Sequence, residues 1–542
     1  MIRRVEFVVQ ALSQTEKVFT VLVSDSMSKE GLLPLLESDK IICLQKTIEE
    51  AQNQLDQVDA LLIRSATKVT TELLDKMPNV KIIARAGVGV DNVDIQAATK
   101  KGIIVVNAPD GNTISTAEHS FAMIAALLRK IPQANTSTKN GEWTRKKFQG
   151  TELFGKSLGI VGFGRIGSEI AKRAKAFQMS IYVFDPFLTK ERAEKFGVTV
   201  SSLDDVLAQA DIITVHTPLT NETKGLLNFD TIAKTKKGVF LINCARGGII
   251  DEEALIYYLQ NGHVAGAALD VFEEEPATNT RLLDFEQVIA TPHIAASTIE
   301  AQLNVASQVS EEVLNYFEGK PVLNSINLPT ISKEVYKKIQ PYYELAKSMG
   351  SILSQCMRTP VNEIEVNYGG EVTTLETSIT TRSLLAGFLQ PRVDAPVNDV
   401  NASIIAKERG ITFGEKHINS SSGYSNVISA SVIGEDRTFN LKGTYVKEYG
   451  PRIIRINEFK VDFTPSGHLI YIEHIDKPGM IGLVGQLLGK HEINIGSMQV
   501  GRKEEGGKAL MMLSIDKPLT ESVLRELVSS EHILYVNKID LT

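Results

Sequence analysis

The feature that most restricts the fold of this chain is the stretch SLGIVGFGRIGSEIA, residues 157–171. A short apolar strand runs into a turn with Gly162, Gly164 and Gly167, and a helix follows directly. In such a G-x-G-x-x-G turn the first glycine permits the tight bend, the second lets the backbone approach a pyrophosphate, and the third lets helix and strand pack closely. Free N–H groups at the helix N-terminus attract the phosphates. The stretch therefore predicts the first βαβ unit of a dinucleotide-binding domain.

The strand that follows this helix, SIYVFD, ends in Asp185. An acidic side chain at this place accepts hydrogen bonds from an adenosine ribose, and its charge repels a 2′-phosphate. The predicted cofactor is therefore NAD rather than NADP.

Apolar strands alternate with helical stretches on both sides of the glycine turn. VFTVLVSD and VDALLIRS precede it, and ADIITVHTP, GVFLINCA and AGAALDVF follow it. This βα rhythm is typical of parallel sheets with helices on both faces. A long helix, STAEHSFAMIAALLRK, joins the two groups, and Ser115 and Glu118 have the spacing of a capping box at its start. The sequence predicts two doubly wound parallel-sheet domains. The mid-chain position of the glycine turn is explained if the dinucleotide domain is inserted in the first domain.

The C-terminal part follows other patterns. A proline-containing linker near residues 317–333 ends the βα rhythm. Residues 334–460 alternate polar and apolar side chains as hairpins do, which predicts a small α+β domain. From His468 the order is strand, helix, strand, strand, helix, strand, which is the order of a ferredoxin-like βαββαβ domain.

Composition argues against several function classes. The chain has 58 Lys and Arg against 65 Asp and Glu, a formal net charge of -7, so no basic field favours nucleic acid as a partner. Its apolar stretches are shorter than a membrane span. Cys43, Cys244 and Cys356 form neither a disulfide framework nor a CxxC metal spacing, which indicates a reducing cytoplasm and no metal site. Residues 1–17 lack a signal-peptide pattern and are expected to be a flexible extension.

Three residues near strand ends of the second βα group suit the oxidation of an alcohol. A histidine such as His293, in ATPHIAAST, can accept a hydroxyl proton. Glu275, in LDVFEEEP, can fix the orientation of the imidazole, and Arg246, in NCARGGIID, can hold a carboxylate in bidentate fashion. Taken singly, each could equally be a structural or surface residue.

Together and in this order, these residues resemble the Arg, Glu, His set of the D-isomer-specific 2-hydroxyacid dehydrogenases. The resemblance implies that His293 is the general acid/base, Glu275 its partner and Arg246 the residue that holds the substrate carboxylate. It also implies cofactor contacts beyond the glycine turn, at Val88, Arg165, Ile166, Asp185, Thr217, Cys244 and Asp270. Val88 departs from the threonine that is typical of animal members, so no hydroxyl contact is expected there.

Further segments, among them RAGVGVDNVD, NAPDGNTISTAEH, INCARGGI and the C-terminal unit, resemble the long-form D-3-phosphoglycerate dehydrogenases. The resemblance covers nearly everything from Val18 to Thr542. It implies an α/β chain in which a Rossmann-type cofactor domain is inserted in a flavodoxin-like substrate domain. An intervening regulatory α+β domain and an ACT domain follow. The expected bounds are 18–117 and 299–326 for the substrate domain, 118–298 for the NAD domain, 334–460 for the intervening domain and 468–542 for the ACT domain.

The reaction implied is NAD-dependent oxidation of D-3-phosphoglycerate to 3-phosphohydroxypyruvate, the first step of the phosphorylated L-serine pathway. A phosphorylated substrate requires cations away from the carboxylate site, and Arg64 and Arg85 both lie at strand ends of the first domain. Ser65 and Asn112 can add neutral donors. Arg145, in the run RKK, is typical of a solvated face, although in the family a corresponding arginine reaches the neighbouring subunit's site.

The ACT-like tail implies an amino-acid effector, L-serine, or serves only as a dimerisation module. His474, Asp476 and Asn494 are the residues expected to bind serine between paired sheets, in a homodimer or homotetramer. Two other functions remain open. One is a dehydrogenase of another D-2-hydroxy acid, such as glycerate or 2-hydroxyglutarate, or the reduction of hydroxypyruvate. The other is an NAD-sensing binding protein on the same fold.

Overall fold

The first domain is built on a parallel sheet of five strands. The computed structural model describes residues 18–277, 281–329, 331–419 and 423–542, so the extension predicted for residues 1–17 lies outside the described residues. The strands are β1 (Phe19–Val23), β2 (Ile41–Gln45), β3 (Ala60–Ile63), β4 (Ile82–Arg85) and β5 (Ile104–Asn107), and the helices between them are α1 (Leu33–Leu36), α2 (Thr71–Asp75) and α3 (Ile95–Lys100). The sheet order is β2-β1-β3-β4-β5, the flavodoxin-like order.

The long helix α4 (Thr113–Leu128) leads out of this sheet, and the shorter α5 (Ile131–Lys139) follows it. Its N-cap is Asn112, whose side chain makes no capping hydrogen bond. Ser115 lies inside the helix, and its hydroxyl is 2.7 Å from the hydroxyl of Thr298. The predicted capping box of Ser115 and Glu118 is therefore wrong, because the helix begins before Ser115.

The second sheet has seven parallel strands in the order β12-β11-β10-β9-β6-β7-β8. Its strands are β6 (Ser157–Val161), β7 (Ser180–Phe184), β8 (Thr199–Val200), β9 (Ile212–Val215), β10 (Val239–Asn243), β11 (Val264–Leu269) and β12 (Val288–Ala290). Its helices are α6 (Arg165–Ala176), α7 (Lys190–Phe196), α8 (Leu203–Gln209), α9 (Phe229–Ala233) and α10 (Glu252–Gln260). The near-continuous apolar character of the central strands follows from burial on both faces.

Helix α11 (Ile299–Phe317) carries the chain back to the first sheet. Val305, Val309 and Val313 lie on its buried face and pack into the core of the first domain. Beyond the helix, the N–H of Ile326 donates to the carbonyl of Val105 at 2.8 Å. The second sheet is thus inserted in the first domain, as the fold class predicted. Loops at the carboxyl ends of both sheets face each other across the region called the cleft below, where Arg246 contacts Asp91 and Arg165 contacts Asp110.

The next domain combines three helices with a mixed sheet. The helices are α12 (Lys333–Cys356), α13 (Ser378–Leu389) and α14 (Ala402–Glu408), and the strands are β13 (Glu363–Gly370), β14 (Thr412–Ile418), β15 (Asn426–Ile433), β16 (Thr438–Val446), β17 (Gly450–Ile456) and β18 (Phe459–Phe463). The order is β14-β13-β15-β16-β17-β18, with only the β13–β14 pair parallel. The α+β prediction is confirmed.

The C-terminal unit is the predicted βαββαβ sheet, ordered β20-β21-β19-β22. It comprises β19 (Gly467–Ile475), α15 (Met480–Lys490), β20 (Ile495–Arg502), β21 (Lys508–Ile515), α16 (Glu521–Val528) and β22 (Ile533–Leu541). Ile470 and Ile472 face its helices, whereas Leu469 and Tyr471 are buried in the core of the preceding domain. The last two domains therefore share one core. In the described residues, none of the helices has the length and apolar character needed to cross a membrane.

Candidate active site

The glycine turn between β6 and α6 has the shape that a dinucleotide requires. Gly162 has a φ of 95°, and a Cβ added there would lie 2.5 Å from the carbonyl oxygen of His216. A Cβ at Gly167 would lie 2.2 Å from the carbonyl oxygen of Gly162. A Cβ at Gly164, in contrast, would meet nothing within 4 Å. Packing therefore requires glycine at positions 162 and 167, whereas Gly164 leaves the backbone open to a ligand.

Asp185 follows β7 at the edge of this turn. One carboxylate oxygen accepts the N–H of Phe163 at 2.7 Å, and the other accepts the N–H of Phe187 at 2.8 Å. The backbone of the glycine turn itself thus fixes the carboxylate at the place where the sequence predicts the adenosine ribose.

The remaining predicted cofactor residues lie on several loops around the turn. Arg165, the first residue of α6, pairs with Asp110 at 2.5 Å, and Ile166 follows it. The hydroxyl of Thr217 is buried and has no hydrogen-bond partner among the described residues, which fits a group that bonds to a cofactor. Val88 supplies a carbonyl that accepts Asn107 Nδ2 at 2.6 Å.

Cys244 is buried directly after β10. Burial raises the pKa of its thiol to about 12, so the thiol is protonated at neutral pH and is not a nucleophile. This agrees with a lining role for the side chain.

Glu275 and His293 form the pair that the sequence predicted. Oε2 of Glu275 lies 2.8 Å from Nδ1 of His293, and Oε1 accepts the N–H of Phe272 at 3.2 Å. A backbone N–H of its own loop thus holds the Glu275 carboxylate, and the carboxylate in turn orients the imidazole of His293. With Nδ1 engaged, Nε2 is the ring nitrogen left to exchange a proton with a substrate. His293 itself has a φ of 54°, a left-handed conformation that is unfavourable for a residue with a Cβ.

Asp270 is the residue that holds the histidine loop. Its carboxylate accepts the hydroxyl of Thr291 at 2.6 Å and the N–H groups of Ile294 and Ala295 at 2.8 and 2.9 Å. Burial alone would raise the pKa of this carboxyl, but these bonds, together with His119, outweigh burial and lower it. Sequence reasoning assigned Asp270 only to the cofactor, and that contact stays a prediction.

Arg246 stands on the loop after β10, opposite the first domain. Asn243 shapes this loop, because its side chain donates to the carbonyl of Arg246 at 2.8 Å and accepts the N–H of Ala245 at 3.0 Å. Nε of Arg246 donates to Asp91 at 3.0 Å across the cleft. Sequence reasoning missed Asp91, although it lies in the RAGVGVDNVD segment.

The first domain brings two further arginines to the same place. Burial lowers the pKa of Arg85 to about 10, with the charges of Arg246 and Arg64 acting in the same direction and those of Asp91 and Asp25 opposing them. Nε of Arg85 is buried and has no partner among the residues described. Nη1 of Arg64 donates to the carbonyl of Ser26 at 3.1 Å. Arg64 and Arg246 thus lie close enough to Arg85 for their positive charges to disfavour its charged form, and an anion bound among these side chains would relieve that repulsion.

The other predicted substrate residues differ in their surroundings. Oδ1 of Asn112 is buried and without a partner in the described part of the chain. Ser65 is exposed in the loop after β3, and Arg145 is exposed in the short 3-10 turn Arg145–Phe148.

The three residues predicted to bind serine are not together within one chain. Asp476 follows β19 and pairs with Arg502, at the C-terminal end of β20. Asn494 precedes β20 at the opposite end, where its N–H donates to Asp516. At about 3.3 Å per residue the length of β20 separates them by roughly 23 Å. His474 is 2% exposed, and its Nε2 is buried without a partner in the described residues. A site with both Asp476 and Asn494 needs a second copy of the chain.

Comparison with known proteins gives consistent matches along the chain. Residues 121–295 match the NAD binding domain of the D-isomer specific 2-hydroxyacid dehydrogenases, residues 338–457 the D-3-phosphoglycerate dehydrogenase intervening domain, and residues 468–532 the ACT domain.

Two relatives are similar over nearly their full length. The chain is 60% identical over 524 residues to the D-3-phosphoglycerate dehydrogenase of Bacillus subtilis (strain 168), covering 97% of this chain and 100% of the relative. It is 44% identical over 527 residues to that of Archaeoglobus fulgidus, covering 96% of this chain and 100% of the relative. Among solved structures, the Aquifex aeolicus D-lactate dehydrogenase complexed with NAD and lactic acid matches with a TM-score of 0.52 and 30% identity, covering 57% of this chain and 100% of that one.

Proposed function

The chain belongs to the D-3-phosphoglycerate dehydrogenases, NAD-dependent oxidoreductases, and from this premise we propose how its cleft oxidises D-3-phosphoglycerate to 3-phosphohydroxypyruvate in L-serine biosynthesis. The observation that carries the proposal is the group of three guanidinium side chains on both walls of the cleft, Arg64, Arg85 and Arg246. A substrate with a carboxylate at one end and a phosphate at the other supplies anions that guanidinium groups on both walls can bind.

We assign the proton transfer to His293. Because Glu275 holds Nδ1, the imidazole presents Nε2 to the C2 hydroxyl and accepts its proton during oxidation. In the reverse direction the same nitrogen returns the proton to the carbonyl oxygen. Bound NAD supplies the acceptor for the hydride that leaves C2.

Arg246 binds the substrate carboxylate and the C2 oxygen. Its loop is held by Asn243, so the guanidinium stays fixed while negative charge moves onto the C2 oxygen. Arg64 and Arg85, with Ser65 and Asn112 as neutral donors, take the phosphate on the first domain. The first domain thus binds the phosphate end of the substrate, and the second binds its carboxylate end.

The NAD site comprises the glycine turn and the loops that surround it. The open backbone at Gly164 and the unpartnered hydroxyl of Thr217 support this assignment. Asp185 takes the ribose, and the contacts at Val88, Arg165, Ile166, Cys244 and Asp270 complete the list of cofactor residues.

We propose that copies of the chain assemble as a homodimer or a homotetramer. Trp143, Phe154 and Ile131 are 78%, 64% and 53% exposed on the connection between the first two sheets, and apolar side chains of this size favour burial against a partner. Arg145 lies on the same connection and is our candidate for a contact to the partner's cleft. An L-serine effector would bind between two ACT sheets, with Asp476 and His474 from one copy and Asn494 from the other.

The domain bounds proposed above agree with these roles. They are 18–117 with 299–326 for the substrate domain, 118–298 for the NAD domain, 334–460 for the intervening domain and 468–542 for the ACT domain. The cysteines support a cytoplasmic enzyme, because Cys43, Cys244 and Cys356 are all free thiols.

The experiment that tests the proposal is the consumption of NADH by the purified protein with 3-phosphohydroxypyruvate. We expect turnover, and we expect His293→Ala to lower kcat by about 10²–10⁴-fold with the Kd for NADH unchanged. An inactive wild-type protein that binds NADH would favour the NAD-sensing alternative. Unchanged turnover in His293→Ala would remove the proton-transfer assignment.

A further inference from the structure

Asp91, on one wall of the cleft, contacts Arg246, a residue of the proposed catalytic set on the other wall. Its Oδ2 accepts Nε of Arg246 at 3.0 Å. Asp91 belongs to the turn after β4 in the first domain, whereas Arg246 follows β10 in the second. The contact thus links the carboxylate-binding arginine to the domain that carries the proposed phosphate site.

The surroundings hold the guanidinium of Arg246 on more than one side. Nη1 donates to the carbonyl of Ala245 at 2.7 Å. Nη2 lies over Gly89, where an added Cβ would be 1.8 Å from Nη2 and 2.8 Å from Oδ2 of Asp91. Any side chain at position 89 would therefore displace the ion pair. With Nε and one hydrogen of Nη1 engaged, Nη2 and the second hydrogen of Nη1 remain for the oxygens of a substrate.

The charge of Asp91 also matters to the arginine group. Asp91 and Asp25 are the two carboxylates that oppose the mutual repulsion of the arginines around Arg85. Asp25 is already engaged, because it accepts the hydroxyl of Thr67 at 2.6 Å and the N–H of Arg64 at 2.5 Å. Asp91 is thus the carboxylate placed to balance Arg246.

We propose that Asp91 is a positioning residue for the reaction: it holds Arg246 through Nε and so turns the remaining guanidinium nitrogens towards the carboxylate and C2 oxygen of the substrate. This inference rests on the proposed function of Arg246. A purely structural role does not explain the pair, because the Asp91 side chain is 71% exposed and exposed ion pairs add little to folding stability.

The first test is Asp91→Asn, which keeps the shape of the side chain and removes its charge. We expect kcat for reduction of 3-phosphohydroxypyruvate by NADH to fall about 10–100-fold, as misplacement of a catalytic group does. The Kd for NADH and the unfolding temperature should not change. Asp91→Glu keeps the charge and should retain more activity than Asp91→Asn. The matched control is Asp75→Asn, which removes a carboxylate from the exposed Asp75–Lys101 pair of the same domain.

The decisive test is a double-mutant cycle with Arg246→Lys, a side chain without Nε–H. We expect Asp91→Asn to lower kcat/KM strongly in the wild-type background and less than twofold in the Arg246→Lys background. Binding of 3-phosphohydroxypyruvate to the NAD complex, measured by calorimetry, gives the same cycle without turnover. An equal loss in both backgrounds, or no loss in the wild-type background, would overturn the proposal.

The same cycle separates this inference from the proposed substrate. If the wild-type protein reduces hydroxypyruvate or 2-oxoglutarate but not 3-phosphohydroxypyruvate, the proposed substrate fails. The cycle is then measured on the accepted acid, because every 2-oxo acid presents the carboxylate and the C2 oxygen that Arg246 contacts. Coupling between the two positions there still supports Asp91, and its absence still overturns it.

Discussion

Replacing Asp270 by Asn tests whether Asp270 holds the loop that carries His293. The carboxylate is fully buried and receives three hydrogen bonds, from the hydroxyl of Thr291 and from the N–H groups of Ile294 and Ala295. Asparagine has the same shape but only one acceptor oxygen. Its NH₂ group must face a donor wherever it is placed.

The expected loss of stability follows from these three bonds. If the amide NH₂ takes the place of Oδ2, the N–H of Ala295 loses its acceptor, which costs about 1–3 kcal/mol for a buried group. The two bonds that remain lose the contribution of the charge, about 0.5–1 kcal/mol each. We therefore expect the free energy of unfolding of the NAD-binding domain to fall by about 2–5 kcal/mol.

The same substitution should reduce turnover. The loop holds His293 at a φ of 54°, a conformation that costs about 1–2 kcal/mol for a residue with a Cβ. Once Asp270 no longer holds the loop, His293 relaxes and its imidazole moves away from Glu275. A misplacement of about 1 Å lowers a rate by about 10²-fold, so we expect a loss of this size in kcat.

Calorimetry and steady-state NADH oxidation test both expectations. Asp204→Asn is the matched control, because it removes a carboxylate from the exposed Asp204–Lys234 pair of the same domain. Wild-type values of both the unfolding temperature and kcat in Asp270→Asn would refute the role of Asp270 in holding the loop.

The pH dependence of stability gives an independent check on Asp270. Its hydrogen bonds lower the pKa of the folded-state carboxyl despite burial. Because the folded-state pKa is lowered, the contribution of Asp270 to the free energy of unfolding is complete above the ordinary aspartate pKa of about 4. It is lost as the pH falls through the lower folded-state value. We expect Asp270→Asn to remove this acid-dependent part of the unfolding free energy, and an unchanged pH profile would contradict the assignment.

Three further predictions address other parts of the molecule. Arg85→Ala should raise KM for 3-phosphohydroxypyruvate about 10–100-fold, the loss of one charged hydrogen bond, and change KM for hydroxypyruvate little; equal changes in steady-state assays would place the phosphate elsewhere. Gly164→Val should lower the affinity for NADH, measured by fluorescence titration, without lowering the unfolding temperature, because a Cβ there meets no protein atom within 4 Å; unchanged affinity would argue against the NAD site. Asp476→Ala and Asn494→Ala should each weaken inhibition by L-serine in an initial-rate assay, whereas retained inhibition in both would locate the effector elsewhere. Substitution is preferable to removal of the ACT domain, because Tyr471 and Met512 belong to the core shared with the intervening domain.

Local patterns were sufficient to predict the architecture of the chain. Strands buried on both faces give apolar runs, as in ALLI of β3 and IITV of β9, and their alternation with helices indicates a parallel sheet. The glycine turn was also predictable, because its geometry depends on residues adjacent in sequence.

Features that depend on contacts between distant segments were not predictable. Asp91 and Arg246 are 155 residues apart, and Asp270 meets the loop of His293 only after two strands have paired. No spacing rule relates such residues. The capping box failed because the helix begins before Ser115, whose hydroxyl instead lies beside that of Thr298, at the far end of the inserted domain.

One overlooked feature did have a signal in the sequence. In HLIYIEHID the residues at both alternating sets of positions are apolar, which indicates a strand buried on both faces. One face of β19 packs on the ACT helices through Ile470 and Ile472, and the other packs on the intervening domain through Leu469 and Tyr471. The continuous apolar run is therefore a signal of a covering domain, and the sequence analysis did not use it.

The measurement that tests the account most directly is the ratio of kcat/KM for 3-phosphohydroxypyruvate to that for hydroxypyruvate, with NADH and the wild-type protein. The two acids share the carboxylate and the C2 oxygen and differ only in the phosphate. If Arg64 and Arg85 each make one charged hydrogen bond to the phosphate, at about 1.5–3 kcal/mol per bond, the ratio should exceed about 100. A ratio near one would contradict the assignment of these arginines to a phosphate and, with it, the proposed substrate.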